Sequence, residues 1–326
     1  MKFFNYLFLI MFILPSLPGC TQTPPPEPLK IALQSIWPSY GAAFIAQEKG
    51  LFAKYGVQVT LLPTQGYMES ITSYKEGKVD GAFMVLVDAI TIFAEGVPSH
   101  FIYATDYSET GDVIVGHPTL HGLTDLKGKT VAFEGFNTFS HLFVVKTLER
   151  VGVAEGEFQV INLEAANILA ALDANQIAAG HVIEPFTSQA LAKGYKIIGK
   201  AGDIAHLITS GLVFNTAVIK QRHAEVQGVV NALVEGMTWL QTHPQEGFNI
   251  VAKFAAISPN ELQTGFNRLH IYTWRENKEI LKPQGILFAA GREIIDFFYQ
   301  KGMLVKIPDL TLMIDNRFIE AVKEKP

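Results

Sequence analysis

Residues 29–63 read LKIALQSIWPSYGAAFIAQEKGLFAKYGVQVTLLP. The run opens on LKIALQ (29–34), an apolar segment of strand length. GAAFIAQEKGLFAKYG (41–56) then carries Phe44, Ile45, Leu51 and Phe52 at helical spacing, with Gly50 splitting the helix. VQVTLLP (57–63) returns to strand. Strand, helix, strand is the repeating unit of an α/β fold whose sheets are largely parallel.

The alternation continues outward. YMESITSYKEGK (67–78) predicts a helix, VDGAFMVL (79–86) a buried strand and DAITIFAEG (88–96) a short helix ended by Gly96. HFIYAT (100–105) and DVIVGHP (112–118) follow as strands. A similar unit begins again after LTDLKGK (123–129). It has strands at TVAFEG (130–135), FQVINL (158–163) and AAGHVIEP (178–185), with helices at 140–152, 167–177 and after Pro185. LITSGLVFNTAVI (207–219) reads as a strand pair or a crossing segment. After about Arg222 the chain turns mainly helical, and Ser258-Pro259-Asn260-Glu261 supplies an N-cap Ser, Pro at N1 and Glu at N3. Two α/β units with a helical return predict two lobes: lobe one over 29–113 and 214–326, lobe two over 114–213. A hinge is expected near 110–116 and 210–216, where Gly111, Gly116 and Gly211 permit backbone rotation.

The N-terminus predicts export. MKFFNYLFLIMFILPSLPGC has one early Lys and an apolar core from Tyr6 to Leu14, too short for a mature membrane span but suited to a signal peptide over 1–19. The single cysteine of the chain, Cys20, follows Leu17-Pro18-Gly19 and resembles a bacterial lipobox, which implies lipidation at Cys20. A cleaved secretory signal with an incidental Cys, or an uncleaved anchor, fits the same run. TQTPPPEP (21–28) makes an extended tether, because consecutive prolines favour polyproline II. The expected location is the periplasm or the outer face of the cytoplasmic membrane. With 48% hydrophobic residues, 17% charged residues and a net charge of −5, the chain is a well-packed globular protein without the basic stripe that nucleic acid requires.

Ligands of open α/β sheets sit at the carboxyl ends of strands. The first two strands are followed by Trp37, Ser39 and Tyr40, and by Thr64 and Tyr67; the next two by Asp88, and by Asp106 and Tyr107. In the second unit the corresponding positions hold Glu134, Asn137 and Thr138, then Glu184. Aromatics mixed with hydrogen-bonding groups are what a small-molecule cleft needs, although Ser, Thr, Asp and Asn also cap helices. The acids Asp88, Asp106, Glu134 and Glu184 have no Lys or Arg at a neighbouring strand end. They suit an amine, an amidine-like group or an N–H-rich heterocycle, with Trp37, Tyr40 or Tyr67 stacking on its flat or cationic part. The helix start at Thr138–Ser140 could receive one anionic group.

Four motifs in order carry a family resemblance. Ala42-Ala43-Phe44-Ile45-Ala46-Gln47-Glu48-Lys49-Gly50-Leu51-Phe52, followed by Lys54-Tyr55-Gly56-Val57, resembles the opening of nitrate/sulfonate/taurine-type substrate-binding proteins of ABC importers. That group includes binders of thiamine-pyrimidine precursors. Tyr74 to Ala82, Leu123 to Ala132 and His181-Val182-Ile183-Glu184-Pro185-Phe186 are similar to further elements of the same family, so the likeness runs from about 30 to 305. The resemblance implies a type II, two-lobe periplasmic-binding-protein-like fold with a two-segment hinge. It also implies a monomer, lipid-anchored, that delivers a solute to a permease and its ATPase subunits. Gly135-Phe136-Asn137-Thr138-Phe139-Ser140-His141 departs from the "G-S-x-x-H" turn of many sulfonate binders, which puts sulfonate specificity in doubt.

Catalysis and cofactors are not expected. There is no G-x-S-x-G elbow, phosphate loop or dinucleotide fingerprint, and Pro118 breaks the closest His pair, His117 and His121, as a metal motif. A related branch contains a pyridoxal-using pyrimidine-synthesising enzyme, but its cysteine-rich motif is absent here.

Overall fold

The structure, a computed structural model, describes residues 27–204, 206–304 and 306–323. The signal peptide, Cys20 and most of the proline tether lie outside the described residues. The strands are β1 (Leu29–Gln34), β2 (Val59–Thr64), β3 (Gly81–Val85), β4 (Ser99–Ser108), β5 (Val113–Gly116) and β6 (Thr130–Phe133). They continue with β7 (Gln159–Asn162), β8 (Ala179–Val182), β9 (Lys196–Lys200), β10 (Thr209–Asn215) and β11 (Leu269–Ile271). They form two sheets, ordered β11-β4-β10-β3-β1-β2 and β7-β6-β8-β5-β9.

The two sheets repeat one plan. In the first, β1 pairs in parallel with β2 and β3, while β10 runs antiparallel between β3 and β4. In the second, β6 pairs in parallel with β7 and β8, while β5 runs antiparallel between β8 and β9. In each sheet the reversed strand inside the sheet is the first one the chain forms after crossing from the other lobe, and the first sheet adds a second reversed strand, β11, at its edge beside β4. This is the mixed, mostly parallel α/β architecture expected from the sequence.

One expected boundary moves. The strand Thr209–Asn215 belongs to the first sheet, so the chain has returned to lobe one before Thr209 and not at 214. The crossings are 109–112 and 201–208, held side by side by backbone hydrogen bonds from Gly202 to Glu109 (2.7 Å), Ala201 to Asp112 (3.0 Å) and Ser108 to Ile208 (2.9 Å). Gly211 is therefore a packing residue in the middle of a sheet: a Cβ there would lie 2.2 Å from the Phe101 ring and 2.4 Å from the Tyr103 carbonyl oxygen. Gly50, with φ 66°, separates the helices Gly41–Glu48 (α1) and Leu51–Lys54 (α2), as the sequence predicts.

The helices follow their caps and apolar faces. Tyr67–Lys75 (α3) and Leu86–Ala94 (α4) pack on the first sheet, and Phe139–Glu149 (α5) opens the second lobe with Thr138 as N-cap. Ser258 and Glu261 form the predicted capping box. The main core joins residues of both lobes, from Phe44 and Phe83 to Phe143 and Phe298, and a smaller core around Val113, Ile168 and Val182 lies within lobe two. No helix among the described residues is long and apolar enough to cross a membrane.

Candidate functional site

β1 ends at Gln34 in a turn, and Pro38 at the first position of a 3₁₀ turn (Pro38–Tyr40) leads the chain into α1. That turn buries Trp37, Ser39 and Tyr40 together. Asp106 Oδ2 accepts three hydrogen bonds, from Trp37 Nε1 at 3.2 Å, from Ser39 Oγ at 2.6 Å and from Thr105 Oγ1 at 2.9 Å. One carboxylate oxygen thus organises three donors and fixes the indole plane. Asp106 is fully buried, its Oδ1 has no partner, and burial pushes its carboxyl up to about 6 against the pull of those three donors.

A second cluster sits where the lobes meet. Tyr67 opens α3 and donates its hydroxyl to Asp88 Oδ2 at 2.6 Å, while accepting from the Val85 amide at 3.0 Å. Asp88 Oδ1 accepts from the Phe139 amide across the lobes at 3.3 Å, and the Tyr67 and Phe139 rings meet edge to face at 5.0 Å. Burial pushes Asp88 up to about 7, with Tyr67 and the Phe139 amide drawing it back and Glu134 adding to the rise. Burial also raises Glu134, which His181 draws down together with the Met68 and Ala165 backbone amides.

These groups surround a small interlobe cavity of about 20 Å³. Lobe one supplies Gln34, Trp37, Tyr40, Tyr67, Val85 and Ser210; Asp112, Phe139 and Ile183 come from the first crossing and lobe two. No Lys or Arg lines it. This volume holds about one water, so an organic solute enters only when the lobes separate. A larger groove of about 770 Å³ between Trp239 and Trp274, and a 290 Å³ pocket beside Lys146 and Glu293, lie away from the strand ends that bring the acids together.

Ion pairs cross between the lobes. Glu184, after β8, lies 2.8 Å from Arg268 Nε, and Lys146 lies 2.9 Å from Glu293. Glu184 also accepts from the Ser188 amide (3.2 Å) and hydroxyl (3.0 Å), so it serves the lobe contact and a helix start. Arg268→Ala is expected to favour the open arrangement by about 1 kcal/mol, or about fivefold in population. Small-angle scattering should show a larger radius of gyration for ligand-free protein; an unchanged profile would remove the pair from the closing contacts.

Of the residues predicted for the site, Trp37, Tyr40 and Tyr67 line the cavity, with Ser39, Asp106 and Asp88 bonded directly behind them. Thr64 is buried but spends its hydroxyl on the Leu33 and Gly66 carbonyls. Thr138 caps α5, and Asn137 stands exposed in the preceding turn. Tyr107 falls on the opposite face of β4 from Asp106, stacked on His270 with the His206 ring tilted against it. Asp112, Phe139, Ile183, Ser210 and Gln34 escaped sequence reasoning. Only Asp112 had a local signal, as a buried-strand acid beside a predicted crossing.

The sequence signature of the NMT1-like family matches residues 22–256. A Haemophilus influenzae protein named for thiamine biosynthesis is 23% identical over 316 residues, covering 94% of this chain and 95% of its own. The periplasmic aliphatic sulphonate-binding protein of Escherichia coli superposes with a TM-score of 0.73 at 18% identity, over 89% of this chain and 97% of that one. The periplasmic nitrate-binding protein of Synechocystis gives 0.71 at 16% identity, over 89% and 86%. The fold is that of periplasmic binding proteins.

Proposed function

We propose that this chain, which belongs to the NMT1-like family, is the solute-binding component of an ABC-type importer. It captures a small amine-bearing or nitrogen-heterocyclic solute between its lobes and hands it to a membrane permease with its ATPase subunits. Export and anchoring through Cys20 at the outer face of the cytoplasmic membrane belong to the same proposal. The observation that carries it is the cavity wall itself: four aromatic rings, Trp37, Tyr40, Tyr67 and Phe139, and the buried Asp112 carboxyl, with Asp88 and Asp106 bonded behind them and no cation lining the cavity. Such a wall stacks on a flat ring and accepts N–H donors.

A sulfonate-, taurine- or nitrate-type anion has no evident place here. The helix start that would receive it has its Phe139 amide bonded to Asp88, its His141 amide to Thr138 Oγ1, and the preceding Asn137 amide to His141 Nδ1. The protein's own carboxylate already occupies that anion position. The mechanism is population shift: the solute contacts both walls only when the lobes close, so binding favours the closed arrangement.

The test is a thermal-shift series with aminopyrimidine, benzamidine, taurine and nitrate. A nitrogen-bearing probe at about a hundred times its Kd should stabilise the protein by about 2.7 kcal/mol. Trp37→Ala should lower that probe's affinity by about tenfold or more while the folded far-UV spectrum persists. Stabilisation by taurine or nitrate alone would overturn the reading.

A further inference from the structure

Behind the cavity wall, three residues from three separate segments form a continuous hydrogen-bonded chain. The Glu134 amide donates to Ser140 Oγ at 3.1 Å, Ser140 Oγ lies 2.5 Å from His181 Nδ1, and His181 Nε2 lies 2.9 Å from Asp112 Oδ1. The Asp112 carboxylate can only accept, so His181 Nε2 carries the hydrogen that bonds it; Nδ1 of the neutral ring then accepts from Ser140 Oγ, which itself accepts from the Glu134 amide. Ser140 and Asp112 are fully buried and His181 nearly so.

The constellation has the composition of a hydrolytic triad with its ends exchanged. In a triad the hydroxyl faces the substrate and the acid is buried behind the imidazole. Here the serine is sealed against the Glu134 backbone, and the acid is the member that lines the cavity. Serine therefore cannot act as a nucleophile towards the cleft. The acid presents a carboxylate oxygen, Asp112 Oδ2, which is buried and has no hydrogen-bond partner. Its other oxygen is held by His181, and its backbone amide is tied to Ser108 Oγ at 2.8 Å, so the free oxygen has a fixed position. An unpartnered buried carboxylate oxygen is costly in a folded protein; Asp106 Oδ1 is a second one, but of the two acids only Asp112 lines the cavity, where a ligand donor can meet it.

We infer that Asp112 is the solute's anchor, its Oδ2 accepting a hydrogen bond from a protonated amine, amidinium or ring N–H, with His181 and Ser140 as positioning residues. This rests on the solute-binding reading above and adds the residue that selects the nitrogen donor. Asp112 lies in the first crossing segment, so an anchored solute contacts the hinge as well as both walls.

The experiment compares wild type, Asp112→Asn, His181→Gln and His181→Leu by calorimetry and thermal unfolding, with benzamidine and aminopyrimidine as probes and taurine and nitrate as controls. Asp112→Asn should lower the affinity of the nitrogen-bearing probe about tenfold or more, because the amide loses the charge-assisted bond. The ligand-free melting temperature should hold or rise, since the variant no longer buries an unpaired charge. His181→Gln, which can keep a donor towards Asp112, should retain most of the binding that His181→Leu loses. A merely structural role would make the two histidine variants alike.

Unchanged affinity in Asp112→Asn, with Trp37→Ala still impaired, would overturn the anchor and leave the solute-binding reading standing. Stabilisation of wild type by taurine or nitrate alone would overturn both. If none of the four compounds binds wild type, the ligand-free melting temperature decides. A fall of several degrees in Asp112→Asn marks a structural acid and overturns the anchor; a held or raised value supports it.

Discussion

Asp106→Ala is expected to destabilise the protein by about 3–5 kcal/mol, measured as a lowered urea midpoint with little change in the denaturant slope. The cause is the number of donors that a single carboxylate oxygen satisfies. Trp37 Nε1, Ser39 Oγ and Thr105 Oγ1 all converge on Asp106 Oδ2 in a fully buried setting, and alanine leaves them together without an acceptor. Ser39 and Thr105, whose oxygens lie 3.3 Å apart, can partly satisfy each other, so the loss falls below the sum of three separate bonds. Asp106→Asn should cost much less, because the amide oxygen can replace Oδ2 and burial already favours a neutral group there. Solute binding should fall in the alanine variant through the released indole. A wild-type urea midpoint for Asp106→Ala would show that the Trp37 wall does not depend on this acid.

The second large effect is the contribution of two buried acids to stability, which grows as the pH falls from about 7 to about 4. Asp88 is pushed up to about 7 and Asp106 to about 6, in both cases chiefly by burial. A carboxyl raised in the folded state binds its proton more tightly there than in the unfolded chain. Its contribution is complete below the unfolded value and is lost as pH rises through the folded value. The two groups place that loss between about pH 4, the unfolded carboxyl value, and about pH 7, with a total on the order of 2–4 kcal/mol after allowance for relaxation of buried charge. At lower pH the trend reverses. Asp315, raised by burial but drawn below its usual range by Arg317, then loses its partner as it protonates. Glu155, raised by burial but lowered further by Lys301 and His141, behaves alike. His100, His141 and His206, lowered chiefly by burial, oppose the two acids below about pH 6.5, so the acid contribution is read as a difference between variants. In thermal unfolding from pH 4 to 8.5, the midpoint of wild type relative to Asp88→Asn should fall as pH rises towards 7; parallel profiles would contradict the burial of Asp88 as a neutral-favouring group.

Local pattern alone decided much of this protein. Apolar runs bounded by Gly and Pro marked β1, β3 and β6, and helical spacing marked α1 and α5, because side-chain periodicity is a property of a few consecutive residues. It also found one wall of the cavity, since Trp37, Tyr40 and Tyr67 follow strand ends directly and the parallel unit sends those ends to one side. Long-range pairing decided the rest. The insertion of β10 between β3 and β4 moved the second crossing upstream and turned Gly211 from an expected hinge into the site of a close strand contact. The two-residue period of β4 sent Asp106 inward and Tyr107 to the opposite face, a difference that composition at a strand end does not carry. Asp112, His181 and Ser140 are about 30 to 70 residues apart in sequence and meet because the strand orders of the second sheet set β8 beside β5 and α5 above them. Backbone geometry accumulated over two sheets brings those three side chains together, and no single segment of the chain encodes their meeting.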